Sequence, residues 1–445
     1  MKVTVENLGR IKNASFDWKP LTVFVGENNT NKSWTAYCVY AISKWILSRQ
    51  SIGEISKQIE VSPSLAAVEE YLQSKASWPL GLLIKREELL EIIKHEIFKL
   101  SIDHHSIPRV LGLSDKACES SRIEIEVNAK DNLLKGFDIF EAESREVIEG
   151  LQQGDEFFNY KFKNGGVSYG GVARWAEFNG RVAGFVRNLL FTSFRDTYVF
   201  PAERIALSSL DFFLTSDFEN KFNLPIIDYV ERSRSAKRGG EIGSRMQLDD
   251  DIESLKKKII SGNIEINRAT NAIDFIVDNH VRIELKNASS LVKSLAGLFV
   301  LLTENVNSLR SLGRHLIVID EPEMNAHPEA QRQIIELLAI LMNMGNHVLI
   351  TTHSPYLVDH LNNLIDAANL PADHQAEFAG ENFALKSKEA ILRAEDVGVY
   401  EFTTDGEIKE LFDRQDQLID TSTFGDVSNK IDATSFNIFE DLKAE

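Results

Sequence analysis

Apolar and polar positions along the chain alternate in two distinct ways. Val3 to Glu6 alternates residue by residue, and Leu21-Thr22-Val23-Phe24-Val25 is a continuous apolar run; the pair predicts two short strands, the second of the kind buried in a sheet. A loop follows, then a helix from about Lys32 to Leu47 with Trp34, Val39, Ile42 and Ile46 among its apolar residues. The stretch 51–196 carries no motif and reads as helices, clearest over Glu87 to Leu100, with a strand at Arg122 to Val127. Strand character returns at Thr197 to Phe200 and stops at Pro201. Arg232 to Glu241, rich in Arg, Lys and Gly, reads as a mobile loop. Asp249-Asp250-Asp251 precedes a helix over Ile252 to Ser261, with Gly262 just past its end; this order suits helix capping and the helix dipole better than a metal cluster.

From Leu316 the pattern becomes regular. A strand (Leu316 to Ile319), a helix (Pro328 to about Met344), a second strand (Val348 to Thr351) and a second helix (Tyr356 to Ala367) predict a parallel sheet with helices packed on it. A hairpin is predicted in the tail, Gly398 to Phe402 and Glu407 to Lys409, turned at Asp405-Gly406. No internal repeat or long heptad run occurs, so no extended coiled-coil arm is expected.

Composition narrows the class. Hydrophobic residues make up 43% and charged residues 26% of the 445 positions, which fits a globular protein with a sizeable core. No apolar run reaches the roughly 18 residues of a membrane span, and the first residues lack a secretion signal. Cys38 and Cys118 are the only cysteines, so a disulfide framework is not expected and a cytoplasmic location is the simplest. The net charge of −18 disfavours a surface that coats nucleic acid throughout, though not a local basic patch.

Gly26-Glu27-Asn28-Asn29-Thr30-Asn31-Lys32-Ser33 lies between the buried strand and the first helix, the context that a phosphate-binding loop requires. In such a loop the backbone and helix N-terminus face phosphates, Lys32 neutralises them, and Ser33 ligates Mg²⁺. Asn31 stands where a glycine usually precedes the lysine; Asn enters left-handed backbone readily, so the turn survives. An Asn-rich turn that merely caps a helix is the alternative.

Leu316 to Ile319 runs straight into Asp320-Glu321-Pro322-Glu323, which puts two carboxylates at the end of a buried parallel strand, where such sheets bind ligands. Asp320 suits Mg²⁺, and Glu321 suits the activation of an attacking water. The next strand ends in His353-Ser354-Pro355, placing an imidazole at the adjacent strand tip. An acidic capping loop and a structural histidine are the plainer readings of these two segments.

Taken together, GENNTNKS, VIDEPEMNAHP and ITTHSP resemble the Walker A, Walker B/D-loop and switch-histidine motifs of ABC-type AAA ATPases of the SMC/RecF/OLD-like group, in order and in spacing. The resemblance covers about 1–48 and 280–360. It implies an α/β fold: an ABC-ATPase head with a mixed, mostly parallel sheet and flanking helices, carrying a largely helical inserted lobe. The expected division is 1–50 and 197–360 for the head, 51–196 for the lobe, and 361–445 for a C-terminal extension with the hairpin. ATP and Mg²⁺ are the implied ligands, held by Gly26, Asn28, Asn29, Thr30, Asn31, Lys32 and Ser33, with Ser33 and Asp320 on the metal and Glu321 and His353 catalytic.

The segment Asn287-Ala288-Ser289-Ser290-Leu291 resembles the divergent signature of these ATPases, with Leu291 where the family has glycine. The resemblance implies that Ser289, with Ser290 beside it, contacts ATP bound to the other subunit, so that two heads sandwich the nucleotide. An N-cap serine is the plainer reading. Asn325 would lie near the dimer seam, and so would His327 unless it is structural. Pro201-Ala202-Glu203-Arg204 is also familiar from these ATPases, which makes Arg204 a nucleotide-site candidate against an ordinary salt bridge.

Heads of this type serve DNA repair, chromosome organisation and phage defence. After His353 about ninety residues remain, and a Toprim nuclease is not expected in them. The expectation is therefore a slow, homodimeric ATPase of the anti-phage, abortive-infection type that controls a protein effector, a nuclease or toxin, with no membrane association. A DNA-binding repair ATPase using Arg232 to Arg238 and Lys256, Lys257 and Lys258 is the second reading, and a nucleotide-binding scaffold with little turnover the third. His104 and His105 with Cys118 lack a zinc spacing and read as structural or surface residues, and Cys38 as core.

Overall fold

The computed structural model describes residues 1–47, 76–77, 81–84, 97–128, 137–141, 157–164, 167–174, 196–209, 222–238, 250–267, 272–277, 281–311, 315–415 and 417–421. The chain divides into two compact units, Met1–Thr4 with Val39–Ile102 and Ile123–Thr197, and Val5–Cys38 with Asp103–Arg122 and Tyr198–Glu445.

In chain order the labelled strands are β1 (Lys2–Leu8), β2 (Ile11–Asp17), β3 (Leu21–Gly26), β4 (Asp196–Phe200), β5 (Gly262–Asn267), β6 (Ala272–Val277), β7 (Val281–Glu284), β8 (His315–Asp320), β9 (His347–Thr351), β10 (Val397–Phe402) and β11 (Ile408–Glu410). The helices are α1 (Lys32–Leu47), α2 (Arg204–Ser209), α3 (Leu224–Arg238), α4 (Asp250–Ile260), α5 (Ser290–Ser311), α6 (Pro328–Asn343), α7 (Pro355–Asp366) and α8 (Gln375–Asn382).

A six-stranded sheet of order β4-β8-β9-β3-β10-β11 organises the second unit. Strands β8, β9, β3 and β10 pair in parallel, and the edge strand β11 pairs antiparallel to β10. The inner strands are continuous apolar runs because both faces are covered: Leu316 to Ile319, Val348 to Ile350 and Leu21 to Val25 (except Thr22) are buried apolar residues. Leu21, Val23, Val25, Ile317, Ile319, Val348 and Ile350 share one core with Leu295, Leu298, Phe299 and Leu302 of α5, Ile334, Leu338 and Leu341 of α6, and Leu357, Leu361 and Leu364 of α7. Each such side chain contributes about 1.5–3 kcal/mol on burial.

Register then positions the site. Asp320 lies opposite Thr351, Thr351 opposite Phe24, and Phe24 opposite Tyr400. The C-terminal ends of β8, β9 and β3 therefore finish together, and whatever follows them shares one edge.

The strands and helices expected from Leu316 onward are present within a residue or two of their predicted ends. Three expectations change. The stretch after 360 is not an appendage, because β10 is an inner strand of the central sheet, paired to β3 from Val397 to Phe402. The region 51–196 is strand-rich where it is described: Gly81–Ile84, Phe137–Glu141, Phe157–Asn164 and Val167–Arg174 belong to a five-stranded antiparallel sheet, Ile97–Ile102 pairs with Arg122–Asn128, and Ile107–Leu111 is one short helix. Of the helix predicted over Glu87 to Leu100, Ile97 to Leu100 is strand and 87–96 lies outside the described residues. Lastly, Arg232 to Arg238 is the end of α3 rather than a loop, anchored by buried Ile226, Tyr229 and Val230 at helical spacing; 239–241 lie outside the described residues. No described helix is long and apolar enough to cross a membrane.

The β10–β11 hairpin turns at Gly406, whose φ of 84° and whose absent Cβ, which would fall 2.1 Å from the Arg10 carbonyl oxygen, both demand glycine. Gly406→Ala is expected to lower stability in urea unfolding by about 2 kcal/mol. Gly380, inside α8, has nothing within 4 Å of a built Cβ; Gly380→Ala is expected to raise stability by about 0.5–1 kcal/mol. The same sign for both variants would contradict the backbone assignment.

Candidate active site

The loop between β3 and α1 is shaped by left-handed residues. Gly26 has φ 132°, and a Cβ there would fall 2.3 Å from the Phe402 carbonyl oxygen, so only glycine fits against β10. Asn29 and Asn31 take φ 63° and 71°, a conformation Asn tolerates better than other side chains. Asn31 does more than replace a glycine: its Oδ1 accepts a hydrogen bond from the Arg10 backbone N–H at 2.9 Å, and its side chain occupies the space beside Gly9. The β1–β2 turn thus braces the loop. Thr30 is buried and donates to the Glu27 carbonyl at 2.8 Å, while Asn28 is exposed.

Lys32 turns back into this loop. Its Nζ donates to the carbonyls of Gly26 at 3.0 Å and Glu27 at 2.7 Å, with Thr30 Oγ1 at 3.4 Å. Burial brings its pKa down to about 8, against the opposing pull of Glu321, then Asp320 and Glu323. An ammonium bonded to carbonyl dipoles and faced by three carboxylates is a positive group without an anion of its own in hydrogen-bonding contact.

Asp320 is the joint of the site. Its Oδ1 accepts from Ser33 Oγ at 2.8 Å and from the Thr351 hydroxyl, and its Oδ2 from Tyr37 at 2.8 Å. Ser33 and Tyr37 are four residues apart on α1, hence on one helix face, so one turn of α1 presents two donors to one carboxylate. Burial, then the charge of Asp320, pushes the Tyr37 phenol well up, so it remains a donor.

Glu321 sits at φ 49°, a left-handed conformation that costs a non-glycine residue about 1–2 kcal/mol. Its N–H donates to the Thr351 carbonyl at 3.1 Å and lies 3.2 Å from the Thr351 hydroxyl. The half-buried Glu321 and His353 side chains approach to 3.4 Å, and the hydrogen bond from His353 is the largest cause holding the Glu321 carboxyl below its usual pKa. Glu323, which the sequence reading passed over, accepts from Thr352 Oγ1 at 2.6 Å and the His353 N–H at 2.9 Å. Its Oε2 is buried without a hydrogen-bond partner, and burial pushes its pKa up.

The structure thus gathers Gly26 through Ser33, Asp320, Glu321 and His353 at one sheet edge. Five other candidates, Arg204, Ser289, Ser290, Asn325 and His327, make different contacts. Arg204 is 1% exposed, and all five of its N–H groups are taken by protein acceptors: Ser294 O and Oγ, Pro201 O, Asp320 O and Glu321 O. With every N–H so engaged, the guanidinium has no donor left over for a nucleotide. Ser289 is exposed and caps α5, accepting from the Val292 N–H at 3.4 Å, and Ser290 is exposed beside it. Asn325 is exposed at φ 62°, and His327 caps α6 through Nδ1 to the Glu329 N–H. Of the missed residues, Tyr37 had a readable signal in its spacing from Ser33; Thr351, Glu323 and Ser294 had none.

Geometry of this kind, a strand–loop–helix lysine facing carboxylates at the tip of another strand of the same sheet, defines a P-loop phosphate site. The profile of the AAA ATPase domain family matches residues 1–358, and the chain belongs to that family. No curated protein matches it. An SMC head bound to the C-winged helix domain of ScpA is 10% identical with a TM-score of 0.34, over 92% of this chain and 96% of that one. The SMC head domain from Thermotoga maritima is 11% identical with a TM-score of 0.30, over 81% and 90%. An Smc head with an extended coiled coil bound to the C-terminal domain of ScpA, from Pyrococcus furiosus, is 9% identical with a TM-score of 0.36, over 92% and 94%. These likenesses are slight, and the assignment rests on the family profile.

The family implies a nucleotide, usually with Mg²⁺. The residues fit both: Lys32 is a cation awaiting an anion, and Ser33 Oγ with Asp320 Oδ1 offers paired hard oxygens of the type Mg²⁺ takes.

Tyr37→Phe keeps the ring and removes the donor to the buried Asp320 Oδ2. It is expected to lower stability by about 1–2 kcal/mol in urea unfolding; an unchanged midpoint would show that this bond carries no weight.

Proposed function

We propose that the chain is an ABC-type ATPase head that binds ATP and Mg²⁺ at the β3–α1 loop, hydrolyses ATP slowly, and uses its nucleotide state to control a protein effector, a nuclease or toxin, in bacterial phage defence. The observation that carries the ATPase reading is the contact of Ser33 with Asp320 beside a Lys32 that Glu321 faces. The effector role rests on the resemblance of the three motifs to defence ATPases.

In this reading the Lys32 ammonium exchanges the carbonyls of Gly26 and Glu27 for phosphate oxygens. Mg²⁺, on Ser33 and Asp320, would neutralise phosphate charge. Glu321 accepts the proton of a water whose oxygen bonds to the γ-phosphorus as the bond to the ADP oxygen breaks. His353, in contact with Glu321, orients that carboxylate. A carboxylate held below its usual pKa is ionised but a weaker base, which suits slow turnover. Exposed Ser289 and Ser290, at the start of a helix and remote in bonding from their own loop, suit contact with ATP on a second copy, giving a homodimer with two sandwiched nucleotides.

The DNA-binding reading needs exposed cations, and of its candidates with described side chains Lys257 is exposed while three others are engaged. Arg232 lies over the Tyr198 ring at 4.4 Å, Lys256 is buried, and Lys258 donates to the Leu385 carbonyl at 2.7 Å.

Two measurements test the ATPase reading. Glu321→Gln is expected to keep ATP binding while lowering kcat by about 10²–10⁴-fold, whereas Lys32→Ala weakens ATP binding itself; wild-type turnover by Glu321→Gln would overturn the assignment. The second is a pH series of ATP affinity. Below pH about 8 the free protein carries charged Lys32; above it the amine is neutral and must take up a proton on binding phosphate. The Kd for ATP is therefore expected to rise with pH above that point, approaching about tenfold per pH unit. In Lys32→Arg the break should vanish, since arginine stays charged.

A further inference from the structure

Arg204 opens α2, three residues beyond Pro201, where the chain leaves β4. On one side it holds α5: Nε donates to the Ser294 carbonyl at 3.0 Å and Nη2 to Ser294 Oγ at 2.9 Å. On the other it holds the end of β8: Nη1 donates to the Asp320 carbonyl and Nη2 to the Glu321 carbonyl at 2.6 Å. A fifth bond, Nη1 to the Pro201 carbonyl at 3.0 Å, ties the guanidinium to its own loop. Ser208, four residues on along α2, adds Oγ to the Lys293 carbonyl at 3.3 Å, so α2 grips the same turn of α5 twice.

This pattern has a mechanical consequence. A planar guanidinium with every N–H engaged has no remaining freedom to rotate, unlike a lysine on a flexible stem. One carbonyl it holds belongs to Glu321, whose backbone sits at φ 49° and is held besides by Thr351 and by the Met324 N–H, which donates to that same carbonyl at 3.2 Å. Ser294 lies one helical turn inside α5 from the exposed Ser289 and Ser290. A helix moves as a rigid body over one turn, about 6 Å. Any displacement of that exposed turn therefore reaches the Glu321 backbone through a single side chain.

We propose that Arg204 is a positioning residue that makes the aim of Glu321 depend on where the N-terminal turn of α5 sits, so that hydrolysis answers to whatever engages that turn. The inference rests on Glu321 being the base that activates water. It assigns Arg204 no contact with nucleotide.

The test is a double-mutant cycle on the full-length protein, with ATP Kd and kcat measured separately and Glu321→Gln run alongside. Arg204→Lys is expected to lower kcat by about a hundredfold while ATP Kd changes by less than about threefold, the signature of a misplaced catalytic group rather than a lost binding contact. Ser294→Ala, which removes one acceptor and little volume, is expected to lower kcat by about fivefold alone and to have no further effect in the Arg204→Lys background. Effects that multiply, or a rise in Kd with kcat unchanged, overturn the coupling while an inactive Glu321→Gln leaves the ATPase reading standing. Wild-type turnover by Glu321→Gln overturns both. If Arg204→Lys does not fold, Ser294→Ala decides: a lowered kcat at unchanged Kd and melting temperature supports the coupling, and an unchanged kcat overturns it.

Discussion

The carboxylate of Asp320 is the point on which the site is built. Three hydroxyls from two elements converge on it: Ser33 and Tyr37 from α1, and Thr351 from the neighbouring strand. Its backbone carbonyl is meanwhile held by Arg204. A charge this well buried, 3% exposed, is tolerable only with such a set of donors. The donors can meet only because parallel pairing brings β8, β9 and β3 to an end in one row. Sheet register, helix face and carboxylate chemistry are thus one constraint seen at three scales.

Around that joint the chain stores strain and unmatched charge. Glu321 and Asn31 sit in left-handed backbone, each held by hydrogen bonds that arrive from other elements, Thr351 for the first and Arg10 for the second. Lys32 satisfies itself on loop carbonyls while its pKa falls. Buried groups arranged this way are costly in the free protein and become favourable when an anion arrives, which is the usual signature of a binding site rather than of a stabilising core.

Local pattern made the phosphate loop and the two strand tips readable, because each motif is contiguous and sits at a strand end flagged by its own hydrophobic run. Tertiary pairing made the rest invisible. Val397 to Phe402 pairs with Leu21 to Gly26 from the far end of the chain, so the inner strand β10 read as half of an isolated hairpin. Arg204 looked like a surface or ligand arginine because nothing in its neighbourhood announces Ser294, Asp320 and Glu321 as partners. The basic run ending α3 read as loop because its composition outweighed the buried Ile226, Tyr229 and Val230 that make the segment a helix. Period-two alternation of Phe98, Leu100 and Ile102 lay hidden behind a Glu- and Lys-rich stretch of helical character.

In the proposed function the β3–α1 loop is a triphosphate site whose lysine trades protein carbonyls for phosphate. An experimental structure with a non-hydrolysable ATP analogue and Mg²⁺ tests it most directly. Lys32 Nζ is expected to be released from the carbonyls of Gly26 and Glu27 and bonded to phosphate oxygens. Nucleotide bound elsewhere, with Lys32 still on those carbonyls, would contradict it.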